Sequence, residues 1–124
     1  MKHTFVNMTN HPSQNWSEAQ RAAALEYGPI LDLPFPAVAE SAELSDVSRM
    51  AIRYFDSIRA FDAPVVLIQG ESVFTYCLVR LLEYARIPAL ACVSRRRVRE
   101  TVLPDGSTQK TAVFTFAGFR PYWE

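Results

Sequence analysis

Apolar and polar positions alternate between two rhythms along this chain, a strand-like block and then a helix-like one, repeated until the last third. Residues 3–9 alternate as a strand, with Phe5 and Val6 near its centre. Seven loop-like residues follow, Asn10 to Trp16, where Pro12 blocks an early helix. Ser17 with Gln20 three positions later forms a capping-box pattern. Ala22-Ala23-Ala24-Leu25 favours helix, and Tyr27-Gly28-Pro29 ends it. Ile30–Leu33 reads as a short second strand, and an extended connection from Pro34-Phe35-Pro36 reaches about Leu44. Ser45 is a good cap for a second helix running to Phe61, in which Val47, Met50, Ala51, Tyr54, Phe55 and Ile58 repeat at helical spacing.

Residues 63–68 are a continuous apolar run, as expected of a strand covered on both faces. A third helix over 71–86 ends at Ile87-Pro88, and Ala89–Val93 forms a fourth strand. The pattern then changes. Arg95–Val102, a Pro104-Asp105-Gly106-Ser107 turn and Lys110–Phe119 read as a β-hairpin. Alternating strands and helices predict an α/β fold: a doubly wound, mostly parallel, Rossmann-like sheet with a C-terminal hairpin. The simplest strand order puts the second strand outside the first and the third on its other side. Strand order then reverses between the first and third strands, where such sheets bind ligands. Both of those strands end in short polar cassettes, Asn10-His11-Pro12-Ser13 and Gln69-Gly70-Glu71-Ser72.

Composition narrows the classes. The 124 residues make a single domain, 1–124, and thirteen basic residues balance thirteen acidic ones. A neutral chain argues against a general binder of duplex nucleic acid or membranes, but allows a small anion on a local basic patch. Cys77 and Cys92 with only His3 and His11 make a poor zinc set, so neither metal nor cofactor is expected. Met1-Lys2-His3-Thr4-Phe5-Val6 lacks the apolar run of a signal peptide, which predicts a cytoplasmic protein.

The first cassette offers an amide in Asn10, an imidazole in His11, a hydroxyl in Ser13 and backbone amides ahead of a helix, a combination suited to phosphate. The same residues also make an ordinary Asx turn. Trp16 could stack on a base or pack as an apolar staple. Gly70 allows close backbone approach, while Glu71 suits a first helical turn through the dipole alone or could meet ribose hydroxyls. Ser72 and Thr75 lie on one helical face. Arg95, Arg97 and Arg99 share one face of an extended strand, with Arg96, Ser94 and Val98 on the other. The arginine row serves equally to clamp phosphates or to guard an edge strand.

With Phe5-Val6-x-x-x-Asn10-His11-Pro12-Ser13-x-x-Trp16, the Gly70 turn and the arginine-bearing hairpin, the chain resembles the small CARF-like proteins of type III CRISPR systems. The resemblance implies a homodimer with a cyclic oligoadenylate across the two-fold axis, bound or cleaved without metal by 2′-hydroxyl attack. It places Asn10, His11, Ser13, Gly70, Glu71 and Ser72 in the crevice; on the enzyme reading His11 and Ser13 are the catalytic candidates, His11 for proton transfer or charge neutralisation and Ser13 for holding phosphate. Asn10, Trp16, Gln69, Gly70, Glu71, Ser72, Thr75, Arg95, Arg97 and Arg99 are then candidates for the ligand. No lysine stands in either cassette, unlike the pattern of a cleaving enzyme. A non-catalytic sensor or sponge of the same ligand, and an interaction subunit using its C-terminal aromatics, are the other readings.

Overall fold

The apolar runs become the middle of one five-stranded sheet with helices on both faces. The computed structural model describes residues 3–124; Met1 and Lys2, part of the N-terminal segment read above, lie outside the described residues. In chain order the elements are β1 (Thr4–Met8), α1 (Glu18–Leu25), β2 (Ile30–Asp32), α2 (Leu44–Ile58), β3 (Pro64–Ile68), α3 (Ser72–Tyr84), β4 (Ala89–Val102) and β5 (Thr108–Pro121). The sheet order is β2-β1-β3-β4-β5, parallel except for the antiparallel β4–β5 pair. The expected placement of the second and third strands beside the first is therefore the observed one.

The strand pleat sorts the core into two layers. Val6, Met8, Val66 and Ile68 face α2 and α3, packing on Val47, Ala51, Phe55, Phe74 and Leu78. Phe5, Val65, Leu67 and Leu90 face the other way, where Trp16 and Ala24 cover them. The short α1 covers only part of that second face.

Local chemistry explains the ends. Ser17 Oγ accepts from Gln20 N at the start of α1, as its spacing predicts. The cap of α2 is Glu43 rather than Ser45, because Glu43 and Asp46 exchange side-chain and backbone hydrogen bonds in a capping box. That helix also stops at Ile58, where turns take over. Helix α3 ends in a Schellman turn: Arg86 N bonds Glu83 O, Ile87 N bonds Leu82 O, and Arg86 sits at φ +60°.

The largest departure lies in β4. It does not end at Val93 but runs unbroken to Val102, so the hairpin is a continuation of the sheet. Only Ala89 and Leu90 pair with β3; from Ala91 outward β4 has β5 alone as its paired strand. Register shifts between Val93 and Ser94, which face Gly118 and Phe116, leaving Ala117 as an extra residue. Gly118 takes φ +150°, a region other residues avoid.

Candidate functional site

Strands β1 and β3 end side by side, and beyond them a half-open cavity of about 560 Å³ lies between the loop before α1 and the root of the ribbon. One wall is Thr9, His11, Asn15, Trp16, Ser17 and Gln20. Leu67, Gln69 and Gly70 form its floor, and Cys92, Ser94, Phe114 and Phe116 make the opposite wall. Among the described residues that line it, none is a lysine, arginine, aspartate or glutamate. Beside the His11 imidazole the wall is aromatic and rich in amides.

Buried hydrogen bonds hold the first cassette. Asn7, 2% exposed in β1, donates to His11 O (3.0 Å) and to Asp32 Oδ1 (3.0 Å) and accepts from Thr9 Oγ1 (2.8 Å). Trp16 Nε1 donates to His11 O at 3.1 Å, while its ring packs edge-on against Phe5. Trp16 is thus a core residue with an edge on the cavity, and its partner is Phe5 rather than a residue of α1. With Asn7 Nδ2 and Trp16 Nε1 both donating to the His11 carbonyl, its exposed imidazole is presented from a fixed backbone.

The second cassette is built differently. Gln69 Oε1 accepts from Cys92 N at 2.7 Å, replacing the backbone carbonyl that β3 no longer supplies. Its amide NH₂ is left for the cavity. Gly70 is required by a neighbour: a Cβ there would lie 2.4–2.6 Å from the Phe35 ring. Glu71 caps α3, its carboxylate accepting from Val73 N (3.0 Å) and Phe74 N (2.8 Å).

Several expected site residues fall elsewhere. Ser13 donates its hydroxyl (3.1 Å) and its amide (3.3 Å) to Asp32 Oδ2, so a carboxylate already holds the groups a phosphate would need. Asn10 borders a separate hollow with Asp32 and Phe35. Ser72 and Thr75 line another, beside Tyr76 and Tyr122, on the far side of Gly70. Glu71 is occupied as a cap. Arg95, Arg97 and Arg99 are exposed on the ribbon and line no wall of the main cavity. Cys92 and Ser94 do line it, and the pleat puts Arg96, opposite Phe114, on their face. The three arginines therefore look the other way.

His11, Trp16, Gln69 and Gly70 are the candidates that converge. Sequence reasoning missed Asn15, Gln20, Cys92 and the two phenylalanines; the parity of β4 and β5 would have found the last three had the bulge been foreseen. Burial raises the Cys92 thiol above its usual value, keeping it neutral. Among the described residues no cluster of histidine, cysteine and carboxylates is arranged for a metal, and no helix is long and apolar enough to cross a membrane.

The family described as "Uncharacterized protein MJ1673 family" matches residues 3–120. No curated protein and no solved structure matches the chain.

Proposed function

The chain belongs to the uncharacterized MJ1673 family, and from that premise we propose that it is a nucleotide-binding protein of Rossmann-like, CARF-like type. Its ligand is an adenine nucleotide, with cyclic oligoadenylate as the class to which the sequence resemblance points. One observation carries the reading: the cavity at the β1–β3 crossover has walls without lysine, arginine or carboxylate that combine aromatic surfaces with side-chain amides. Flat rings stack on aromatic faces, and an amide matches the paired donor and acceptor on adenine's edge. Gln69, Asn15 and Gln20 supply the amides; Phe114, Phe116 and the edge of Trp16 supply the apolar surface.

Binding without turnover fits a wall of aromatic rings and amides without lysine, arginine or carboxylate better than catalysis does. Cleavage remains a second reading because His11 is an imidazole on the wall, held on a fixed backbone. There it would take the proton of a ribose 2′-hydroxyl as that oxygen bonds to the adjacent phosphorus. The P–O5′ bond breaks, giving a 2′,3′-cyclic phosphate and a 5′-hydroxyl that regains a proton.

Calorimetry with cyclic tetra-adenylate in EDTA, followed by chromatography of the ligand, separates these readings. Saturable binding that weakens in Gln69→Ala, with the ligand recovered intact, is the expected result. Linear products that disappear in His11→Ala would establish the enzyme. No heat with cyclic tetra-adenylate, linear adenylates or ATP would overturn the nucleotide reading.

A further inference from the structure

The cavity leaves one strongly charged surface unused. Ser94–Val102 pairs with Thr108–Phe116 as a two-stranded ribbon about 30 Å long. The chain as a whole is neutral, which argues against a general nucleic-acid binder, but its charge is unevenly placed. Residues 94–116 hold five basic side chains and two carboxylates, whereas the rest of the chain holds eight basic and eleven acidic ones.

Within the ribbon the charge is sorted again, by face. Glu100 lies on the cavity side with its partner Lys110, 3.7 Å away. Asp105 sits in the turn, its carboxylate accepting from Ser107 N and Oγ. The opposite face keeps Arg95, Arg97 and Arg99, all exposed and set about 7 Å apart along β4. Among the described residues, no ion pair involves them. Across from them β5 presents Thr115, Val113 and Thr111, and then Gln109 opposite Thr101. This face thus combines cations, hydroxyls and an amide, with no carboxylate and no aromatic ring. Guarding the strand edges needs charge alone, which the mixed-sign cavity side also supplies; it leaves unexplained why both carboxylates avoid the arginine side.

These features select among nucleic acids. A single strand is held by stacking its bases on aromatic side chains, which this face lacks. In A-form RNA the major groove is too deep and narrow for side chains to read. The major groove of B-form DNA is about 12 Å wide and admits a two-stranded β-ribbon. We propose that the arginine face of the ribbon binds duplex DNA in the major groove. The β4 arginines pair with phosphates, while the threonines and Gln109 of β5 meet base edges, where an amide matches adenine and a hydroxyl can donate or accept. Nothing in this assignment rests on the nucleotide reading of the cavity.

Fluorescence anisotropy of a labelled, random-sequence DNA duplex titrated with the full chain tests the proposal. Three phosphate contacts predict an affinity that falls about 40-fold between 50 and 200 mM salt. Arg96 and Arg97 are neighbours on opposite faces, so their substitutions remove the same charge from different places. R97Q should weaken binding roughly eightfold at 0.1 M salt and lower the salt slope by about one, while R96Q changes affinity less than about twofold. Both side chains are exposed, so both variants should melt with the wild type. Three results would each overturn the proposal. These are no binding at the lower salt, equal losses in R96Q and R97Q, and tighter binding to single-stranded RNA or to phosphatidylserine vesicles than to the duplex.

Discussion

Replacing Gly70 with alanine sets two opposed effects against each other. Gly70 is not among the positive-φ residues, so alanine suits its backbone and should stabilise by about 0.4–1 kcal/mol through a less disordered unfolded chain. Sterics oppose this, because the new methyl would sit 2.4–2.6 Å from three carbons of the Phe35 ring. Phe35 packs edge-on against Phe74, centroids 5.1 Å apart, and is partly buried. Displacing it forfeits about half of a phenylalanine's burial, roughly 1–1.5 kcal/mol. The aromatic pair is worth about 0.5–1.5 kcal/mol more. Sterics win, and G70A should be destabilised by about 1–2 kcal/mol, a melting point lower by roughly 4–8 °C. Urea unfolding should show a lower midpoint with unchanged slope. The decisive control is G70A in a Phe35→Ala background, where the obstacle is gone and alanine should be neutral or stabilising. If G70A costs as much there as in wild type, the contact is not the reason for the glycine.

Asn7→Leu removes the buried amide that ties β1 to His11 and Asp32, and should cost about 2–3 kcal/mol by denaturant titration; a cost below about 0.5 kcal/mol would mean the cassette holds itself. Arg86→Gly relieves a left-handed residue at the end of α3 and should raise stability by about 0.5–1 kcal/mol, an unchanged or lower value counting against strain there. Burial raises the pKa values of both Cys92 and Tyr122, so the folded chain keeps these protons to higher pH than the unfolded one. Their contribution is intact at lower pH and is lost as pH rises from about 9 upward; thermal melts of wild type should fall there, and Tyr122→Phe should flatten part of that slope. Trp16→Phe keeps packing on Phe5 but loses the bond to His11 O, so it should cost about 1 kcal/mol and weaken nucleotide binding, whereas unchanged affinity would remove the indole from the site.

Much of the fold could be read from residue order, because apolar period and caps act locally. Ser17 with Gln20, the apolar run at 63–68 and the polar ends of β1 and β3 placed the crossover, and with it the cavity. What escaped depends on contacts distant in sequence. Glu71 reads equally as ligand group or cap until the orientation of the α3 amides is known. Gly70 gives no sign of Phe35, and Ser13 none of Asp32, since each partner arrives from the β2 side. The arginine row was placed on one face as expected; which face sees the cavity depends on how β4 joins the sheet.

That joining makes the bulge part of the site. Because Ala117 is an extra residue, Phe116 and Phe119 stand three positions apart yet meet on one side of β5, with ring centroids 5.1 Å apart. Deleting Ala117 would remove the bulge and leave Phe116 two positions from Phe119, so a regular pleat keeps both rings on the same side, opposite Ser94 and Cys92. Straightening the bulge at unchanged length would instead turn Phe114 and Phe116 to the other face and bring Thr115 and Ala117 to the cavity, which would lose its far wall. At this point in the chain the far wall of the cavity depends on one unpaired residue: with Ala117 present, the bulge is what keeps both phenylalanines on the cavity side.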